Sequence, residues 1–142
     1  MITWDIDLET GYDLVDDQHK KIFDLINKIL ESDSISNKKK MEKHIKTTLD
    51  FLVSYAIEHF AAEESLMVSS DYPQYKQHKK MHDDFVTNLG ELLGGHKDDI
   101  GIVAANDVIN NFILKWLESH ILGADKHMVI HYRQWRYPEE NN

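Results

Sequence analysis

The sequence predicts an all-α protein, an antiparallel up-down-up-down four-helix bundle with an N-terminal arm and a short C-terminal extension. Three observations carry this prediction. Apolar residues recur in alternating steps of three and four along four separate stretches, which is the period of a helix with one buried face. The 142 residues include only six glycines and two prolines, and Pro73 and the Gly94-Gly95 pair fall between stretches. The connections are short, and short connections make consecutive helices antiparallel neighbours.

Residues 1–14 show no sustained period and form the arm. Asp16 or Asp17 is placed to cap the first helix. Its stripe is Val15, His19, Ile22, Ile26 and Ile29, ending near Leu30 to Ser32. Ser32-Asp33-Ser34 and Ser36-Asn37 read as a loop. Lys38, Lys39 and Lys40 open a second helix as a solvated face. That helix runs to about residue 67 on the stripe Ile45, Leu49, Leu52, Ala56, His59 and Glu63. Ser69 to Pro73 is the clearest break, because the residue before a proline avoids helical geometry while proline suits a first turn. The third helix carries Tyr75, His78, His82, Phe85, Leu89 and Leu92 and stops at Gly94-Gly95. After a loop through Asp98 and Asp99, the fourth carries Ile102, Ala105, Ile109, Ile113, Trp116 and His120. The bundle proper is expected over about 15–125. The tail 126–142, with Trp135 and Tyr137, is expected to pack back on it, and the whole chain 1–142 reads as one domain of sufficient size for its own core.

Composition narrows the function. Twenty-five acidic against 16 basic residues, net −9, oppose nucleic-acid binding, which depends on cations neutralising phosphates. The same balance disfavours anionic membranes. Without cysteine there are no disulfides, thiolate metal sites or thiol nucleophiles. No apolar run approaches the roughly 20 residues of a membrane span, and the first residues are acidic rather than leader-like, so a cytoplasmic protein is expected.

The nine histidines are the unusual feature. Each helical stripe holds at least one: His19, His59, His78 with His82, and His120. Any one alone reads best as a hydrogen-bonded core residue. Five together with Glu63 would cost about 1–3 kcal/mol for each uncompensated group, which bound metal offsets, since neutral imidazole and carboxylate are transition-metal donors. His59 and Glu63 share a face at a spacing of four, as do His78 and His82. His120 and Asp125 stand five apart, so both face the centre only if the helix ends or widens there, a distortion Gly123 eases. Five nitrogens and two carboxylates are too many donors for one tetrahedral zinc and suit two adjacent ions bridged by the carboxylates. His44 and His96 fall off the stripes and are expected to be exposed. His127 and His131 repeat the four-residue spacing but lie in the polar tail and are expected not to be ligands. Glu58 and Glu64 are expected on other faces, as surface groups or partners to ligands. Met67 and Met81 are read as packing.

The chain resembles the hemerythrin family, specifically its single-domain bacterial members. The resemblance runs through Trp4-Asp5, Asp17-Gln18-His19-Lys20, His59-Phe60-x-x-Glu63-Glu64, Tyr72-Pro73, His78-x-x-x-His82 and Trp116-Leu117-x-x-His120-Ile121-x-x-x-Asp125. It implies two non-haem irons with an oxo or hydroxo bridge. By that resemblance His78, His82 and His120 would hold one iron, His19 and His59 the other, and Glu63 and Asp125 would bridge them. The iron with two histidines would keep an open position for dioxygen. Ile22, Phe23, Phe60, Trp116, Leu117 and Ile121 are the candidates for an apolar oxygen pocket.

The function this implies is reversible dioxygen binding for carriage, storage or delivery, in a non-enzyme expected to be monomeric. One alternative is a di-iron oxidase or a nitric-oxide or peroxide chemistry at the same site. Carboxylate-rich oxidases use Glu-x-x-His on two helices, and this chain contains none. Another is an oxygen or redox sensor acting through a protein partner, with the tail as its interface.

Overall fold

The computed structural model describes residues 2–95 and 100–141, and side chains up to residue 139. Helices α1 (Asp13–Leu30), α2 (Lys38–Ser69) and α3 (Tyr75–Leu93) make three columns of the bundle. The fourth is one continuous helical run: α4 (Ile102–Val108), a π-helical segment Ile109–Ile113, α5 (Leu114–His120), a second π segment Ile121–Asp125, and α6 (Lys126–Arg136). Short 3-10 turns at Ile6–Leu8, Glu31–Ser34 and Pro138–Asn141 complete the described elements. No helix among the described residues is long and apolar enough to cross a membrane.

The predicted stripes are the buried faces. Val15, His19, Ile22, Ile26 and Ile29 of α1 are all buried, as are Ile45, Leu49, Leu52, Ala56, His59 and Glu63 of α2. On α3 the stripe is buried from His78 through Leu89, with Tyr75 half-buried, but Leu92 is 47% exposed and Leu93 packs on the core in its place, so the last step is four residues rather than three. Asn37 caps α2, its side-chain oxygen accepting from Lys40 N at 3.0 Å.

The start of α1 differs from expectation. The helix begins at Asp13, with Tyr12 as an N-cap that makes no side-chain bond. Asp16 is buried in the first turn and reaches backward, accepting from Thr10 N and Thr10 Oγ1 at 2.8 Å each and from Gly11 N at 3.2 Å. It therefore moors the arm instead of capping the helix. Ile2 adds a second mooring: its N–H donates to Asn27 Oδ1 at 2.8 Å and its carbonyl accepts from Asn27 Nδ2 at 2.9 Å. Gly11 sits at φ 93°, a left-handed conformation that favours glycine, while a Cβ there would meet only the movable end of Arg133 at 3.0 Å.

The tail also differs. Lys126–Arg136 prolongs the fourth column, burying Met128, Val129 and Tyr132. Its polar composition masks this short apolar face, and no proline intervenes before Pro138. Met128 and Val129 form a small cluster with Val15, Met67 and Tyr72 at one end of the bundle, separate from the main core. Trp135 is half exposed and does not fold back. The predicted loop through Asp98 and Asp99, and His96, lie outside the described residues.

Candidate metal centre

Each column passes from the main core to the end cluster through one polar layer. On α1, His19 separates Ile22 from Val15. On α2, His59 and Glu63 separate Ala56 and Phe60 from Met67. On the fourth column, His120 and Asp125 separate Leu117 from Met128, and His78 and His82 complete the layer from α3. All seven residues are buried, none more than 6% exposed.

Their donor atoms form two groups sharing the carboxylates: Glu63, His78, His82, His120 and Asp125 in one, and His19, His59, Glu63 and Asp125 in the other, with each group's ligand atoms within 4.8 Å of one another. In the first, His78 Nε2 and His82 Nε2 lie 3.1 and 3.0 Å from His120 Nε2. Glu63 Oε1 is 3.1 Å from His82 Nε2, and Asp125 Oδ1 is 3.0 Å from His120 Nε2. In the second, Glu63 Oε2 lies 3.1 Å from His59 Nε2 and Asp125 Oδ2 lies 3.0 Å from His19 Nε2. Each carboxylate thus turns one oxygen to each group.

These spacings fit metal ligation. Donors about 2.1 Å from a shared ion are about 3.0 Å apart at octahedral right angles and about 3.4 Å apart in a tetrahedron. The orientations fit as well. His19 Nε2, His59 Nε2 and both Glu63 oxygens are buried yet lack a partner in hydrogen-bonding geometry, although carboxylate or imidazole atoms stand close by. Atoms that approach without aiming at one another converge on a common point between them.

The widened segment is what brings the fourth column into register. At 3.6 residues per turn, positions five apart differ by about 140°, whereas the i→i+5 geometry of a π turn puts them on one face. Ile121–Asp125 is such a turn. A Cβ on Gly123 would meet nothing within 4 Å and its φ is not positive, so neither space nor backbone angle demands glycine there.

The surroundings hold the rings in place. His82 Nδ1–H donates to Glu64 Oε2 at 2.9 Å, and His59 Nδ1 pairs with Gln18 Oε1 at 2.7 Å. Phe60 stacks on His82 with centroids 4.0 Å apart, and Trp116 on His120 at 4.2 Å. Electrostatically the charges of the cluster compensate one another. Burial pulls His19 and His78 down, but the Asp125 and Glu63 carboxylates beside them prevail and push each up to about 9. Burial would raise Glu63, yet His59, His19 and His78 hold it well below the usual carboxylate range. Burial and Glu63 raise Asp125, but His120, His19 and His78 outweigh them and it too is lowered. His120 is pulled down by burial despite Asp125.

Residues 10–129 match the family described as Hemerythrin HHE cation binding domain. The chain belongs to the hemerythrin family. Among its hemerythrin relatives, Bacteriohemerythrin of Methylococcus capsulatus is 32% identical over 127 residues, covering 89% of this chain and 92% of the relative. Hemerythrin-like protein of Naegleria gruberi is 32% identical over 122 residues, covering 86% of each. A wild-type hemerythrin crystal structure aligns with a TM-score of 0.73 at 28% identity, over 93% of this chain and 98% of that one.

Within this hemerythrin fold, Ile22, Phe60, Trp116 and Leu117 wall a small apolar cavity of about 20 Å³ beside the polar layer, together with residues such as Phe85 and Ile113 that sequence reading did not single out. That is enough space for about one small molecule. Phe23 and Ile121 are buried but do not line it. Phe23 is turned by one residue from Ile22 and packs edge-on against Trp4 at 5.2 Å. His44 is exposed, as expected. His127 bonds Tyr72 Oη at 3.0 Å, and His131 Nε2 donates to the Ser70 carbonyl at 2.8 Å, and neither belongs to the donor groups. Gln18 belongs to the motif that carries the family resemblance, but its contact with His59 on α2 is not announced by its place beside a stripe residue.

Proposed function

We propose that this protein binds dioxygen reversibly at a pair of non-haem irons. His78, His82 and His120 would hold one ion, His19 and His59 the other, and Glu63 and Asp125 would bridge them, with an oxygen from solvent shared between the two. The observation that carries the reading is the two-sidedness of Glu63 and Asp125, each with one oxygen toward each nitrogen group. A ferrous pair supplies the two electrons of reversible dioxygen binding.

The residues do the rest. One group has five donors and the other four, so with one shared solvent oxygen a six-coordinate ion would be fully ligated beside His78 and would keep a free position beside His19 and His59. Five neutral nitrogens limit the negative charge around the ions, which favours return to the ferrous state over permanent oxidation. Phe60 and Trp116, stacked on ligand rings, exclude water, and the apolar cavity beside them suits a small uncharged ligand. The nitrogen-rich set and the absence of Glu-x-x-His favour binding over oxidase turnover.

The test is an absorption spectrum with an iron count. Two irons per chain and a visible band that vanishes on anaerobic reduction and returns in air are expected. A colourless protein carrying stoichiometric zinc would refute the proposal.

A further inference from the structure

The two halves of the donor cluster are backed by different chemistry. On the three-histidine side, the outer nitrogen of His82 donates to a carboxylate, Glu64 Oε2, at 2.9 Å. On the other side, the outer nitrogen of His59 meets a neutral amide oxygen, Gln18 Oε1, at 2.7 Å. His19 Nδ1 is buried with no hydrogen-bond partner. Lys79 Nζ lies 3.9 Å from the other oxygen of Glu64, although its nearer partner is Asp83 Oδ2 at 2.8 Å. The His82 ring is clamped between that carboxylate and the face of Phe60, which stacks on it at an interplanar angle of 8°. Glu64 is 20% exposed and borders a groove between α2 and α3, so it is an acid that touches both a cluster ring and the surface.

The geometry points to Glu64 as a positioning residue that acts through His82, fixing the ring's tautomer and setting a negative charge behind the three-histidine side, with Gln18 as its neutral counterpart on the other. A carboxylate accepts only, so Nδ1 of His82 carries a proton, and the neutral ring turns its Nε2 lone pair toward the cluster. A carboxylate behind a ligating imidazole makes its inner nitrogen a stronger donor and stabilises the more highly charged metal ion. An amide oxygen accepts from the same ring N–H but brings no charge, and the amide can also turn its NH2 toward the ring. The outer partners therefore reinforce the inequality already present in the donor count, and an ion beside His78 would be the easier to oxidise. The identity of the ions rests on the di-iron reading; the action of Glu64 on a bound divalent metal does not.

Two variants separate the hydrogen bond from the charge. Glu64→Ala removes both, while Glu64→Gln keeps an acceptor and removes the charge. Cobalt(II) titration of the metal-free protein, folded by circular dichroism, reads positioning without redox chemistry. Glu64→Ala should weaken one of two cobalt-binding steps about 10- to 100-fold and leave the other unchanged, and Glu64→Gln should recover most of the loss. Spectroelectrochemistry of the iron-loaded protein reads the charge. Glu64→Gln should make the first oxidation harder by about tenfold in its equilibrium constant, a rise of about 59 mV for one electron. Equal cobalt affinities for wild type and Glu64→Ala would overturn the positioning role, and an unchanged potential in Glu64→Gln would overturn the charge effect. A wild-type chain that takes up two cobalt ions but no iron pair would sink the di-iron reading alone, leaving Glu64 to be judged on cobalt.

Discussion

Metal uptake should be strongly pH-dependent, with a slope set by two imidazoles. In the metal-free protein His19 and His78 are each pushed up to about 9 by the carboxylates beside them. Both therefore carry a proton at neutral pH, and a metal ion requires the neutral ring. One pH unit corresponds to about 1.36 kcal/mol, so displacing one such proton at pH 7 costs roughly 3 kcal/mol. His19 belongs to one donor group and His78 to the other. Each ion accordingly meets one proton, and its apparent affinity should fall about tenfold for each pH unit below about 9, or about 100-fold for the pair together. The stability of the metal-free protein should run the opposite way. A raised imidazole pKa stabilises the fold fully below its ordinary value of 6.5, and that contribution is lost as pH rises through about 9. The lowered carboxylates contribute above their ordinary range and lose that contribution as pH falls below it. Anaerobic titration with ferrous iron or cobalt in weak buffer, with an indicator for released protons, measures the first effect. About two protons per pair of ions are expected near neutral pH. An affinity that is flat between about pH 7 and about pH 9, or release of less than about one proton, would refute the argument.

Three further outcomes follow from named contacts. Glu63→Ala removes one oxygen from each donor group, so metal analysis after desalting should show that paired iron loading is lost; two irons with an unchanged oxygenated spectrum would refute the bridging role. His127→Ala deletes a ring bonded to Tyr72 and Gln74 outside the donor groups, and should leave iron content and spectrum as they are, at a cost of about 1 kcal/mol or less in chemical denaturation. Asp16→Ala strips three hydrogen bonds from the arm and should cost about 2–4 kcal/mol by the same measurement without altering iron stoichiometry; a loss under about 0.5 kcal/mol would mean that the arm is held sufficiently by Asn27, bonded to Ile2, and by Arg133, whose Nη1 donates to the Gly11 carbonyl at 3.1 Å.

The buried faces were legible because burial in a bundle is written as a repeating step of three and four, and a histidine or glutamate on such a stripe announces itself by being costly there. What the sequence left illegible depends on groups with more than one use. Asp16 has the identity and position of a helix cap, but its reach to Thr10 and Gly11 depends on the arm's path, which carries no periodic signal. The tail's face, Met128, Val129 and Tyr132, is too short to stand out among His127, His131 and Arg133, and it becomes visible only against Val15, Met67 and Tyr72 from other columns. Glu64, beside a stripe residue, reads as a surface group or a partner to a ligand, but which rings it and Gln18 back, His82 and His59, is not readable, because each pair joins two different helices. Such contacts follow from the packing of one column against another, which a single sequence does not encode locally.

The pair His120 and Asp125 lies between these cases. Its spacing was readable as a contradiction: five residues is wrong for one face of an α-helix, yet both side chains are costly anywhere but the centre. A helix that ended at Asp125 would have resolved the contradiction, but the chain continues as α6 to Arg136, so the ladder widens instead. The difference matters to the site. An Asp125 at a frayed helix end would move independently of His120, whereas inside a continuous column it is held from both sides, by Leu117 and Ile121 in the main core and by Met128 and Val129 in the end cluster. With Glu63 fixed in mid-helix on α2, both two-sided carboxylates then sit on rigid elements, and the spacing between the two donor groups is set by backbone rather than by side-chain rotamers.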